Sequence, residues 1–407
     1  MSTDSVSTAT STIRVHRMSS LEVRASVSLA AIFALRMFGL FLIMPVFSVF
    51  AQTLSMDNDT FLVGLAIGIY GLTQSLFYIP YGWASDRLGR KPVIIFGLIV
   101  FAVGGFVAAL SNDLYWIIAG RAIQGAGAIS SAVIACVSDL TSEANRMKAM
   151  AMIGGSIGIS FTAAIVLAPT LFHVLGMSGL FWIITILAVL AIFLVLWAVP
   201  ELPTLPIHLK VAPAPFYEVL CHLELLRLNF GVFVLHATQT ALFVAIPRML
   251  VAAGLPVSLH WKVYFPVMLL SFIAMIPLII AVEKRGKTKT VLVSSIALIG
   301  LSQFALAELP STVMVMMTVL FFYFLGFNVL EASQPSLVSK LAPRSLKGAA
   351  IGVYNTTQAL GLFSGGIIGG FLMNHLDHTW IFLFFGAVAL LWLIIAAPMR
   401  VSLTPHS

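Results

Sequence analysis

Four ionisable side chains stand inside long apolar stretches of this sequence: Arg36, Arg121, His236 and Glu331. A charge in a hydrocarbon-like setting is costly, so such residues pair with one another, reach water or serve an ion or substrate path. Glu331 is the clear carboxylate among them. A carboxyl that alternates between an apolar setting and a cation's side takes up and releases a proton. Glu331 therefore reads as a proton carrier, with substrate contact and a structural role as the alternatives. His236 reads either as a second coupling group, because imidazole changes charge nearest neutrality, or as a satisfied interior histidine. Arg36 and Arg121 each offer a planar fork of donors that suits carboxylate or phosphate groups. His236 and Glu331 each lie eight residues in from the end of an apolar stretch, about 12 Å deep at the rise of a helix. Gln239 and Asn328 lie one turn further in, which predicts a polar cluster of His236, Gln239, Asn328 and Glu331. Gln124 follows Arg121 by three residues, Gln74 follows Tyr70 by four and Gln358 follows Asn355 by three. Each pair shares a helix face, and with Tyr354 these residues are candidates to line a cavity.

The elements that must position them are membrane spans. The chain has 407 residues, of which 60% are hydrophobic and 9% charged, with mean hydropathy +1.05. Soluble domains carry about a quarter charged residues, so the solvent for this surface is a bilayer. Stretches of about 20 apolar residues fall at 27–50, 61–83, 92–110, 114–137, 148–171, 179–199, 228–250, 262–282, 290–308, 312–339, 348–373 and 379–399. The predicted fold is an all-α membrane protein of twelve transmembrane helices in two six-helix halves, 27–199 and 228–399. A tail, 1–26, a linker, 200–227, and a short tail, 400–407, complete the chain. Eighteen of the 22 Lys and Arg residues fall in the tails and alternate loops of one side, while Arg248 and Lys262 fall at span ends on the other. Cytoplasmic loops carry such an excess, so both termini and the linker are expected in the cytoplasm. The net charge of +7 is thus an orientation signal, and no nucleic-acid partner is expected. Cys136 and Cys221 lie too far apart in character and sequence for a disulfide framework. No metal-ligand spacing, phosphate-binding glycine loop or nucleophile–base arrangement is present, so neither cofactor nor enzymatic reaction is expected. The linker contains Pro200, Pro203, Pro206, Pro213 and Pro215, then an amphipathic run from Phe216 to Leu226.

An internal repeat supports the two halves. Asp86-Arg87-Leu88-Gly89-Arg90 follows the second span, and Glu283-Lys284-Arg285-Gly286-Lys287 follows the eighth, 197 residues later. The stretch from Gly82 through Asp86, Arg87, Gly89 and Arg90 to Lys91 resembles the loop signature of the major facilitator superfamily. The resemblance implies a gating loop in which Asp86 contacts the N-terminal end of a neighbouring helix. The run from Arg121 through Gln124, Gly125 and Gly127 looks like the arginine motif of that family's drug–proton antiporters, which implies a part for Arg121 in proton coupling. The fifth span carries Gly154, Gly155 and Gly158, but Ala168-Pro169 stands where antiporters carry a Gly-Pro pair. Longer stretches, including Leu35-Arg36-Met37, Gly68 to Gln74 and His260 to Tyr264, resemble the YajR-type subgroup. Its best-known member has an additional soluble C-terminal domain, which this chain, ending at Ser407, is expected to lack. The resemblance places spans one, four, seven and ten around a central cavity, so Arg36, Arg121, His236 and Glu331 fall one on each.

The function expected from these readings is secondary active transport by alternating access: proton-coupled efflux of amphipathic or hydrophobic small molecules. An alternative is transport of an organic anion, such as a polycarboxylate metabolite or siderophore, motivated by Arg36 and Arg121. The expected partners are a small-molecule substrate, protons and the bilayer, with the monomer as the working unit and a bacterial inner membrane as the location.

Overall fold

The computed structural model describes residues 17–54, 59–111, 113–201, 217–285, 287–343 and 346–399, without the side chains of 144, 147 and 281–285. Much of both tails, most of the linker with Lys210 and four of its prolines, and the side chains of the second repeat loop before Lys287 lie outside this set.

Every long regular element among the described residues is an α-helix. The first half comprises α1 (Ser20–Phe41), α2 (Met44–Phe50), α3 (Thr60–Leu88), α4 (Arg90–Ala109), α5 (Leu114–Ala126), α6 (Ser130–Leu140) and α7 (Glu143–Trp197). After the short α8 (Tyr217–Cys221) come α9 (Leu223–Ala252), α10 (Trp261–Arg285), α11 (Thr288–Glu308), α12 (Val313–Leu341), α13 (Lys347–His375) and α14 (His378–Ala396). The helix starts are chemically marked. Asp59, Asp113, Thr312 and Asp377 accept hydrogen bonds from the first free backbone N–H groups of α3, α5, α12 and α14, the role of an N-cap side chain. Two crossings are broken in the middle. Pro45 stands in the first turn of α2, after the bend that ends α1, and α5 stops at Gly127 before α6 resumes.

The helix α7 settles the span count. Its 55 residues would reach about 80 Å if straight, against a hydrocarbon core of about 30 Å. Both of its ends instead meet the start of α1. Ser142 N, at the head of α7, donates to Glu22 Oε1 at 2.8 Å. Arg24 donates to the carbonyls of Trp197 and Ala198 at 2.8 and 2.9 Å. The chain must therefore reverse in between, and it does so at Gly176, whose φ of +67° is open to glycine at low cost. Ser178 then hydrogen-bonds the carbonyl of Ala109, at the far end of α4. The expected fifth and sixth spans are thus the two arms of α7, and twelve crossings result.

Sidedness in burial follows the apolar solvent. Ile79, Trp197 and Ile394 are 67%, 74% and 69% exposed, as side chains facing lipid tails are. By contrast α9 is enclosed along 89% of its apolar window, while α10 buries 28% of its own, so α9 is central and α10 peripheral. The halves meet where α3 packs on α13, α2 on α9 and α7 on α10. The α3–α13 contact is a backbone contact. A Cβ on Gly64 would fall 2.1 Å from the Gly366 carbonyl oxygen, and one on Gly68 2.7 Å from that of Phe363. Such close approach is how membrane helices gain packing energy without a hydrophobic drive. The predicted amphipathic run is divided: α8 ends at Cys221, His222 caps the next helix, and Leu223–Leu226 form the first turn of α9.

Candidate functional site: a two-sided transport path

The central helices bring the C-terminal candidates together. His236 Nδ1 lies 3.1 Å from the Val232 carbonyl. A carbonyl only accepts, so Nδ1 carries the proton, and the neutral ring presents Nε2 as an acceptor. The Gln358 amide nitrogen is 2.7 Å from that Nε2, and Glu331 Oε2 is 3.5 Å from it. The second contact has ion-pair distance but not hydrogen-bond alignment, and Oε2 has no hydrogen-bond partner among the described residues. The imidazole is almost wholly enclosed, at 4% side-chain exposure, whereas the Glu331 side chain is 32% exposed. The arrangement is a partly exposed glutamate side chain whose buried Oε2 faces a buried imidazole. Protonation of Nε2 makes it a donor directed at Glu331.

The predicted four-residue cluster is corrected in part. His236 and Glu331 meet, but Asn328 is turned towards α10, where its amide donates to Ser271 Oγ at 3.0 Å. Gln239 is buried, and its Oε1 has no hydrogen-bond partner among the described residues. Gln358, from α13, takes the place beside the imidazole. Tyr354 is buried one turn before it, and Asn355 is half-buried.

The N-terminal half carries a different group. Arg36 and Arg121 are 1% and 2% exposed. Arg36 Nη1 donates to Ser130 Oγ at 3.0 Å, and Arg121 Nη1 donates to Gln124 Oε1 at 3.1 Å. Both guanidinium carbons lie against the Tyr70 ring, 5.8 and 5.0 Å from its centroid, a cation–π distance. Gln74 is buried one turn after Tyr70.

The gating-loop residues form a small ionic network. Arg90 binds Asp86 Oδ1 at 2.6 Å and Asp139 Oδ2 at 2.7 Å. Arg87 stacks 4.0 Å from the Trp83 ring centroid, and Lys91 lies 3.4 Å from Glu201. Gly89 makes the turn at φ +94°, and Gly82 passes Ser131. In this conformation Asp86 is held by Arg90 and not by a helix N-terminus. Among the described residues it is Glu22 of α1 whose carboxylate reaches the N-terminus of a neighbouring helix, α7.

The two ends of the path differ. At the end bearing the Lys and Arg excess, Gly154 and Gly155 on α7 and Gly348 and Gly352 on α13 meet nothing within 4 Å of a built Cβ. At the opposite end the halves are tied. Arg248 of α9 donates through Nε to the Ser48 carbonyl at 2.9 Å and through Nη1 to Thr60 Oγ1 at 3.0 Å. Thr60 N donates to Asn374 Oδ1 at 3.1 Å. Sequence reasoning did not give Arg248 a role; its signal was a basic residue on the sparsely charged side.

A membrane chain of two six-helix halves, tied to one another across one end, has the architecture of a secondary transporter. The chain belongs to the Major Facilitator Superfamily, whose family model matches residues 29–366 and 230–406. The inner membrane transport protein YajR of Escherichia coli K12 is 43% identical over 95% of this chain and 85% of its own length. The class B tetracycline resistance protein of Escherichia coli is 30% identical over 31% of this chain and 32% of its own. A D-xylose–proton symporter of known structure superposes with TM-score 0.72 at 16% identity, covering 91% of this chain and 96% of its own; at that identity the likeness shows the fold.

Proposed function

We propose that this chain is a proton-coupled exporter of amphipathic or hydrophobic small molecules, working by alternating access as a monomer in a bacterial inner membrane. The observation that carries the reading is the Glu331–His236–Gln358 group. It combines a partly exposed carboxylate side chain with an enclosed imidazole of defined tautomer, which suits a group that loads and unloads a proton. The partial likeness to a tetracycline resistance protein supports export of a drug-like molecule. The enclosing surface supports an apolar cargo: Phe161 of the first half stacks on Phe327 of the second at 5.9 Å, and Phe327 in turn meets the His236 ring at 5.8 Å.

In the cycle, the end with the basic excess faces the cytoplasm. Substrate entering there displaces the aromatic contact between the halves, and the proton leaves Glu331 to the same side. The gating network of Asp86, Arg90 and Asp139 re-forms its partners as the open end closes. Release outside follows parting of the Arg248 tie, and a proton taken up by Glu331 permits the return. Purified protein in liposomes tests this. With the lumen made acidic, protons leaving the liposome should drive accumulation of a lipophilic dye in the lumen against its own gradient, and collapse of the pH gradient should stop it. Dye movement that ignores the pH gradient counts against proton coupling.

A further inference from the structure

Resting on the reading of the chain as an exporter with a central path, we infer that Arg36, Arg121 and Tyr70 form an oxyanion subsite that takes the carboxylate or sulfonate end of the substrate.

The first observation is unbalanced charge. Two guanidiniums from α1 and α5 are almost wholly buried against one tyrosine ring. Neither takes part in an ion pair among the described residues. Guanidinium stays charged in proteins, and an uncompensated buried charge is strongly unfavourable. A purely structural role would be served by a neutral side chain at lower cost.

The second observation is unused hydrogen-bonding capacity in the same place. Arg36 Nε and Nη2, Tyr70 OH, Gln74 Oε1 and Gln124 Nε2 are all buried without a partner among the described residues. Most of these atoms are donors or can donate; they come from α1, α3 and α5, and the two arginines converge on the Tyr70 ring. Arg36 spends one nitrogen on Ser130 and keeps two N–H bearing nitrogens for a second acceptor, the fork that matches an oxyanion bidentately.

The third observation is separation of roles between the halves. The acidic and titratable group, Glu331 with His236, sits on α9 and α12; the cationic pair sits on α1 and α5. An aromatic bridge joins the halves: Phe327, against the His236 ring, stacks on Phe161, which meets Phe41 of α1. A molecule with an apolar aromatic body and one oxyanion would lay its body on the bridge and its charge on the arginines. A cation would meet repulsion there. Exchange of one monoanion outward for one proton inward would then move two charges per cycle, so the membrane potential would assist export.

The experiment uses four molecules with one naphthalene body: 2-naphthoate, 2-naphthalenesulfonate, 2-naphthylmethanol and 2-naphthylmethylammonium. Binding to the full-length detergent-solubilised protein is measured by calorimetry, with inorganic phosphate as a competing anion. The two organic anions are expected to bind at least about tenfold tighter than the alcohol and the ammonium. Arg36→Gln and Arg121→Gln should each remove that preference while leaving binding of the alcohol. Glu331→Gln should keep it, so failure of proton coupling and failure of this subsite are told apart. Equal binding of all four molecules, binding of none, or a preference that survives both arginine substitutions overturns the inference. So does displacement of naphthoate by phosphate at equal concentration, which would assign the site to an inorganic anion. If the arginine variants do not fold, the wild-type series alone decides.

Discussion

Replacing Arg248 by alanine removes two hydrogen bonds that cross between the halves at the tied end. Each has a charged donor, and such bonds contribute about 1.5–3 kcal/mol when well shielded. Arg248 is half-buried, so solvent competes, and the pair together is worth about 2 kcal/mol. That corresponds to a factor of about 30 in the ratio of tied to parted states. A parted population of about 1% would become roughly a quarter. The assay is single-molecule energy transfer between dyes on cysteines introduced at Thr53 and Val251, both exposed at the tied end and on opposite halves. The exposed native Cys221 is first replaced by serine. Arg248→Ala should populate a longer dye separation, and Arg248→Lys, which keeps the charge but loses the fork, should fall between. An unchanged distance distribution in both variants would refute the assignment of Arg248 as an inter-half tie.

Three other outcomes follow from the same geometry. Gly64→Val puts side-chain atoms into the Gly366 backbone; it should part the same dyes and lower the melting temperature, since overpacking costs about 1–3 kcal/mol, and an unshifted melting curve would contradict the close approach. Asp86→Asn should insert and fold normally yet slow transport severalfold in liposomes, because Arg90 loses one of its two carboxylates; an unchanged rate would remove Asp86 from gating. Cysteines introduced at Lys210 and Asp57 should be, respectively, protected from and labelled by an impermeant maleimide outside intact cells, and the reverse pattern would overturn the orientation.

How far the sequence could be read depended on which coordinate of each residue mattered. Position along a span is set by counting, because a helix rises uniformly. That is why counting puts Glu331 and His236 at one depth, and the two side chains lie 3.5 Å apart. Rotation about the helix axis, and the tilt of one helix on another, are set by packing and are not written in spacing. Depth alone therefore puts Asn328 in the cluster, while its amide faces Ser271 on α10. Sequence distance groups Gln358 with Asn355, whereas its partner is His236, from a different helix. The spans were legible because hydrocarbon imposes length and composition together. Their internal breaks at Pro45 and Gly127 were less so, since proline and glycine are tolerated in membrane helices. Arg248 escaped notice because charge counting treats a lone basic residue as an exception to orientation, whereas its partners come from distant helices.

The central claim is that Glu331 carries the coupled proton, and paired fluxes in one preparation test it most directly. Glu331→Gln keeps the shape and much of the hydrogen-bonding capacity of the protonated acid but cannot release a proton. Proteoliposomes containing this variant are assayed for uptake driven by a pH gradient and for counterflow of labelled against unlabelled substrate without one. The account predicts that the gradient-driven flux is abolished while counterflow persists near the wild-type rate. Gradient-driven flux that survives the substitution would contradict it, as would loss of both fluxes, which would make Glu331 a substrate-binding or structural residue.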